Sequence, residues 1–531
     1  MSEEKQDVTC LMCRAIINTF LDYRRIEKYD EEQLLEEAVD LCLSMNLQPE
    51  STCEAIIQMH IPPLVYIIDQ NPKLEANHIC SMILQTSNCG STNINYSVKI
   101  EEKSKESQKN EENQISDETS YRVLHITDIH FDPRYKPGSN AQCDEPTCCR
   151  SGEPDSPEDA AGFYGDYRSC DVPWHSVVNA MSHINETHKD LDWIYFTGDL
   201  VDHGIWETSV ENNVEIMEKV FQLLRETFPE TPLFPILGNH ETHPVNIFAP
   251  NHISDNELST NWLFNYISEA WLHWLPNSTL STIKKGGFYT TLIKPKLRVI
   301  ALNNNDCYIY NWWTLYSTDA QLEQLQWFHD TLFEAEKNNE KVHVLAHIYP
   351  GEGSCFVVWS REYKRIIERF HETIRAQFYG HSHYDEFNIF YENQNPQKPI
   401  NVGWNGGSLT PFNDINPNYL IYNVSKISFD VLDYESWSYN LTKANENIEK
   451  GPEWFKLYSF KDQFNLENTN LTSLNDLVHQ FAADRKLLSK FWELKMKRGD
   501  PTLRRGCDEK CLKATICDIV KNEIGDKKIL V

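Results

Sequence analysis

Between residues 10 and 89 apolar positions recur at three- and four-residue spacing: Leu11, Ile16, Ile17, Phe20 and Leu21, then Leu34, Leu35, Val39 and Leu43, then Ile56, Ile57, Val65 and Ile68. That period predicts packed helices, and Pro62 and Pro63 are expected to break the third one. Residues 92–120 are polar and charged and read as a flexible linker. From Tyr121 the pattern changes to short apolar runs at 121–126, 193–196, 233–237, 297–302, 342–346 and 376–379. Helical stretches separate several of them, at 210–227 and 320–336 for example. Strands alternating with helices predict an α/β sheet. Past about residue 435 the strand pattern is expected to stop, and 473–497 is expected to be helical.

Five of the runs share a feature that reaches beyond fold. Asp128 and His130 follow the first run, Asp199 the second and Asn239 the third. His347 follows 342–346, and His381 and His383 follow 376–379. Ligands of α/β sheets bind outside the carboxyl ends of the strands, where loops from distant positions converge. Gly198, Gly238 and Gly380 stand directly before three of these donors, where a sharp turn is needed. Mixed oxygen and nitrogen donors suit a borderline cation such as zinc. His203 and His240 lie beside the donors and are candidate proton donors, with Asp202 next to His203 able to favour its charged form.

Composition narrows the setting. The formal charge of −30 opposes binding to DNA, RNA or anionic lipid at neutral pH, so no nucleic-acid partner is expected. Fifteen cysteines in clusters read as disulfides outside the cytosol, or as zinc ligands or thiols inside it. Asn95, Asn185, Asn277, Asn423, Asn440 and Asn470 open Asn-X-Ser/Thr sites, which fits a lumenal chain. The opening MSEEKQDVTC has no apolar core of a signal peptide, so the lumenal reading implies that a signal was removed or is missing. A cytosolic protein is the alternative. No run of about 20 apolar residues exists to span a membrane.

The ordered set Asp-X-His, Gly-Asp, Gly-Asn-His-Glu, His and Gly-His-X-His resembles the calcineurin-like metallophosphoesterases. The resemblance implies a sandwich of two mixed sheets flanked by helices, holding two metal ions, here expected as two Zn2+ per chain. One would take Asp128, His130, Asp199 and His383, the other Asp199, Asn239, His347 and His381, with Asp199 bridging. Cys10, Cys13, Cys42, Cys53, Cys80 and Cys89 allow fifteen pairings. Their arrangement resembles the saposin family, which implies Cys10–Cys89, Cys13–Cys80 and Cys42–Cys53 and an apolar face offered to lipid.

The block Cys143-Asp-Glu-Pro-Thr-Cys148-Cys149-Arg with Cys170, Trp-Leu-Pro at 274–276, Gly-Gly-Phe-Tyr at 286–289 and Asp-Glu-Phe at 385–387 resemble the acid sphingomyelinase family. That family implies the pairs Cys143–Cys148, Cys149–Cys170 and Cys307–Cys355. It also assigns histidines at the positions of His203 and His240 to leaving-group protonation or phosphate contact. The expected organisation is a saposin-type lipid-binding domain at 8–91, the linker at 92–120, a metallophosphoesterase domain at 121–435 and a helical domain at 436–531. The expected activity is hydrolysis of sphingomyelin to ceramide and phosphocholine by a lysosomal or secreted monomer touching the membrane peripherally. A soluble nucleotide or phosphodiester hydrolase and a ceramide phosphoethanolamine hydrolase are the alternatives. The sequence departs from the family after Cys307, where it reads Tyr-Ile-Tyr-Asn-Trp-Trp, and at 409–413, both expected near the site mouth. Cys507 and Cys511 can pair, which leaves Cys517 without a later partner.

Overall fold

The computed structural model describes residues 8–87, 89–90, 92–102 and 119–524. Four helices come first: α1 (Val8–Asp22), α2 (Glu31–Ser44), α3 (Glu50–Gln70) and α4 (Ala76–Ile83). Asp30 and Gln33 close the start of α2 reciprocally, each side chain bonding the other's backbone N–H. Disulfides Cys10–Cys89, Cys13–Cys80 and Cys42–Cys53 join the helices in the nested order. Contrary to expectation, α3 runs straight through Pro62 and Pro63. Cys53 pins it at one end, while Pro63, Val65 and Ile67 are buried at the other, and this packing outweighs the lost backbone bonds.

Residues 92–102, expected within a flexible linker, lie along two later helices, Asp319–Lys337 and Val357–Phe370. Tyr96 is buried and donates to Gln321 at 2.9 Å. The backbone N–H of Val98 donates to Glu362 at 2.9 Å, and that of Glu101 to His329 at 3.1 Å. The rest of the expected linker, 103–118, lies outside the described residues.

Two six-stranded sheets follow, both mixed. The first is built from β1 (Ser120–Ile126), β2 (Trp193–Phe196), β3 (Leu233–Pro235), β10 (Asn418–Ser425), β11 (Val431–Ser438) and β12 (Phe455–Ser459). Its order is β12-β11-β10-β1-β2-β3, with β1, β2 and β3 parallel. The second comprises β4 (Tyr289–Lys294), β5 (Leu297–Ala301), β6 (Lys341–Leu345), β7 (Ile374–Tyr379), β8 (Asp385–Tyr391) and β9 (Pro399–Gly406). Its order is β4-β5-β6-β7-β9-β8, parallel at its centre and antiparallel at both edges.

The sheets meet through large buried rings. Phe378 of β7 lies 4.7 Å from Tyr195 of β2 and 5.1 Å from Tyr422 of β10, centroid to centroid. Tyr195 hydroxyl bonds His343 at 2.7 Å across the core, so that buried polar pair is satisfied. β1, β2, β3, β6 and β7 all end at the same rim, which sets up the site.

Strands do not stop at 435. β11 continues to Ser438 and β12 adds an edge, a strand of five residues in which Lys456 and Ser459 interrupt the apolar pattern. The stretch 473–497 is two helices, Leu471–Ala483 and Arg485–Lys495, divided at Asp484, whose side chain caps the second. The last described helix, Glu509–Val520, lies on β8, where Asn388 donates to Asp518 O at 2.8 Å. Cys143–Cys148, Cys149–Cys170, Cys307–Cys355 and Cys507–Cys511 are disulfides, and Cys517 is free.

Candidate metal centre

Each donor stands in the first loop residues after a strand, and five of them have left-handed backbone: Asp128 (φ 47), His130 (φ 46), Asp199 (φ 59), His381 (φ 68) and His383 (φ 62). Such angles cost energy outside glycine, so five together mark a rim held by its surroundings. Close packing of the loops supplies that hold. A Cβ on Gly238 would stand 2.0 Å from Asp199 Oδ1, and one on Gly380 would stand 2.6 Å from Asp128 Oδ2. Glu241, buried, accepts the backbone N–H of Asp199 at 3.1 Å and those of Leu200 and Gly238, tying the β2 loop to the β3 loop. Burial and the neighbouring Asp199 push its carboxyl up to about 7.

The donors converge in two adjoining groups. In one, Asp128, His130 and His383 present their ligand atoms together; in the other, Asp199, His347 and His381 do so. Asp199 Oδ2 is 3.4 Å from His130 Nε2 and 3.1 Å from His347 Nε2, so one carboxylate oxygen faces both. Asn239 Oδ1 lies 3.1 Å from His347 Nε2 and 2.9 Å from His381 Nδ1. All seven residues singled out from the sequence therefore meet.

Tautomers follow from the outer contacts. His130 Nδ1 donates to Val201 O at 2.7 Å and His347 Nδ1 to Thr197 O at 2.7 Å. Carbonyl oxygens only accept, so Nδ1 carries a proton in both rings and each Nε2 is the atom turned inward. His130 Nε2 then faces His383 Nε2 at 3.1 Å, and His383 Nδ1 is buried with no hydrogen-bond partner among the described residues. Inward-facing nitrogens crowded against carboxylates call for positive charge between them, as protons on the rings or as bound cations. Two cations fit this donor set.

Protons report the same field. Burial opposes charging His130, but Asp128, Asp199 and Asp171 outweigh it and lift the ring to about 10. His347 is likewise lifted to about 9, against burial, chiefly by Asp199. Burial would raise Asp199, yet His347, His240 and His130 hold it well below the usual carboxylate range.

His203 and His240 stand beside His130, with ring centroids 4.1 and 4.8 Å away. The partner of His203 is not Asp202, which is taken up by Arg150 and Gly204 N. It is Asp171: one oxygen bonds His203 Nδ1 at 2.8 Å and the other accepts its backbone N–H at 2.7 Å. Burial would raise the Asp171 carboxyl, but His203 and His130 bring it down to about 2. Asp171 adjoins Cys170 in a loop with no strand before it, which is why the strand-end pattern missed it. His240 Nδ1 bonds Asp202 O at 3.1 Å, and burial holds the ring well below its ordinary value.

Both departures from the family pattern lie at this site. Phe412 stacks on His203 at 4.1 Å and 14°. Tyr308 stands edge-on to His381 at 5.6 Å. A buried lysine, Lys497, arrives from the C-terminal region and donates to Ser408 Oγ at 2.7 Å. Residues 409 and 410 in turn bond Asp128 O at 3.1 Å through their backbone N–H groups.

Two sheets whose parallel strands end in clustered carboxylate, amide and imidazole donors define a dimetal phosphoesterase, and residues 121–385 match the calcineurin-like phosphoesterase model. Residues 407–524 match the acid sphingomyelin phosphodiesterase C-terminal region. The chain is similar to sphingomyelin phosphodiesterase of Bos taurus, 33% identical over 96% of this chain and 81% of that protein. It is 32% identical to sphingomyelin phosphodiesterase 1 of Caenorhabditis elegans, over 96% of this chain and 90% of that one. The Homo sapiens sphingomyelin phosphodiesterase is 32% identical over 96% of this chain and 81% of its own length. The chain belongs to the sphingomyelin phosphodiesterase family.

Proposed function

We propose that this chain hydrolyses sphingomyelin to ceramide and phosphocholine with two zinc ions, as a monomer bound peripherally to membrane. The observation that carries this is Asp199 Oδ2, placed within 3.4 Å of one histidine Nε2 and 3.1 Å of another at the junction of the two donor groups. Asp128, His130, Asp199 and His383 would hold one ion, and Asp199, Asn239, His347 and His381 the other. Bound there, the pair supplies an acidified water and neutralises charge on phosphoryl oxygens.

The protein's own groups handle the leaving alcohol. With Asp171 accepting from Nδ1, the free Nε2 of His203 is the atom left to protonate the ceramide oxygen. Asp171 stays ionised in acid because its pKa is held at about 2, so the pair keeps its geometry in an acidic lumen. His240 offers its Nε2 to the same region. The anionic phosphodiester brings the charge that its buried ring needs to take up a proton.

Seven disulfides support a lysosomal or secreted setting. No described helix is long and apolar enough to cross a membrane. The N-terminal helices, read as a saposin-type lipid-handling unit, leave Val8, Leu11, Met12, Ile26, Met45 and Leu47 exposed, which supports contact with lipid.

Turnover is to be measured on vesicles of sphingomyelin, on vesicles of ceramide phosphoethanolamine and on ATP, at pH 5, with and without chelator. The proposal expects chelator-sensitive cleavage with sphingomyelin preferred. Preference for ATP would overturn it.

A further inference from the structure

The segment after Cys307 alternates. Ile309 and Asn311 are buried, while Tyr308, Tyr310 and Trp312 share the opposite side. Ile309 N donates to Ser354 O at 2.9 Å, and the Cys307–Cys355 disulfide fixes the base of the segment. The three rings form a staircase from the metal centre. Tyr308 is 5.6 Å from His381 at 80°, Tyr310 is 5.4 Å from Tyr308 at 84°, and Trp312 is 5.9 Å from Tyr310 at 71°. Tyr308 is half-buried and Tyr310 is 41% exposed, so the corner between them opens outward.

Near-perpendicular rings present faces and edges to one corner, and ring faces attract cations without needing a hydrogen bond. The Glu352 carboxyl group stands there too. Its Oε2 lies 3.4 Å from His381 Nε2 and has no hydrogen-bond partner among the described residues. The proton donors His203 and His240 stand on the other flank, beside His130. The leaving alcohol departs on the donor flank. In an in-line displacement the uncleaved ester is equatorial to that departure, which leaves the His381 flank within its reach.

Building on the sphingomyelin reading, we propose that Tyr308 and Tyr310 form an aromatic corner that receives the quaternary ammonium of the choline head group and selects for it. A trimethylammonium spreads its charge over methyl groups and suits ring faces. A primary ammonium concentrates its charge on three N–H donors and is held by acceptors rather than by ring faces.

The test compares two lipids in identical vesicles with the metal-loaded full chain: sphingomyelin, and its isostere carrying a 3,3-dimethylbutyl group in place of choline. The two differ by one charge and nothing in shape. Wild type is expected to favour the choline lipid in kcat/KM by about tenfold, the range of a partly desolvated cation–π contact. Tyr310→Phe is expected to keep that ratio, and Tyr308→Leu and Tyr310→Leu to bring it close to one. Because each ratio is taken within one preparation, a smaller folded fraction cancels. A wild-type ratio of one, or an unchanged ratio in both leucine variants, would overturn the aromatic corner while leaving the sphingomyelin reading intact. Cleavage of bis(p-nitrophenyl) phosphate with no turnover of either lipid would overturn that reading and the corner with it.

Discussion

At the scale of single residues, the donors were legible because each follows directly on an apolar run, where sheet geometry dictates convergence. Asp171 and Lys497 were not. Both act at the rim from loops whose local sequence carries no signal, and only tertiary packing brings them there. The Asp171–His203 contact predicts that Asp171→Asn lowers kcat by about 10²–10⁴-fold, as expected when a proton donor loses its orienting carboxylate. Metal content should stay unchanged. The deficit should be larger for sphingomyelin, whose alcohol needs the proton, than for a p-nitrophenyl ester, which does not. Equal deficits on the two substrates would refute the assignment. The tight approach of Gly238 to Asp199 Oδ1 predicts that Gly238→Ala weakens metal retention by about tenfold or more, read by titration with a competing chelator.

Elements were legible where one period dominated. The helix Val210–Thr227 and the strand Trp193–Phe196 coincide with the patterns that predicted them. β12 escaped because it is five residues long and Lys456 interrupts its apolar run, and α3 outran its prolines because its ends are anchored by packing that sequence does not display. The same helix contacts the catalytic sheets' loops through one titratable hydrogen bond. Trp312 Nε1 donates to His60 Nδ1 at 3.1 Å, and an indole nitrogen is donor only, so that imidazole must be neutral. Burial and the neighbouring His243 lower His60 to about 4. His243 itself bonds Thr208 at 2.9 Å and feels Glu211. A state with α3 undocked binds the proton more readily than the docked one. Docking is therefore strongest above about pH 6.5, the ordinary histidine value, and weakens as pH falls towards 4. Hydrogen exchange in α3, corrected for intrinsic rates, should accelerate between pH 7 and 5. It should lose most of that pH dependence in His60→Phe, and protection that is flat with pH in the wild type would contradict the linkage.

At the scale of the molecule, charge and covalent links define the working environment. A net charge of −30 sets the surface against anionic lipid at neutral pH, and carboxylate protonation relaxes it. Binding to vesicles containing anionic lipid should therefore strengthen from pH 7 to pH 5 and fall with added salt at pH 5 less than binding through basic patches would. Sedimentation of the protein with such vesicles reads both effects. The central claim is that donors from five strand ends hold two cations in one pocket. Its most direct measurement is metal stoichiometry on the purified chain, taken together with phosphodiester turnover before and after chelation. The account predicts about two zinc ions per chain, loss of both turnover and metal on chelation, and a fall in stoichiometry for Asp199→Asn, whose carboxylate faces both groups. Full turnover from a chain holding fewer than one ion would contradict it.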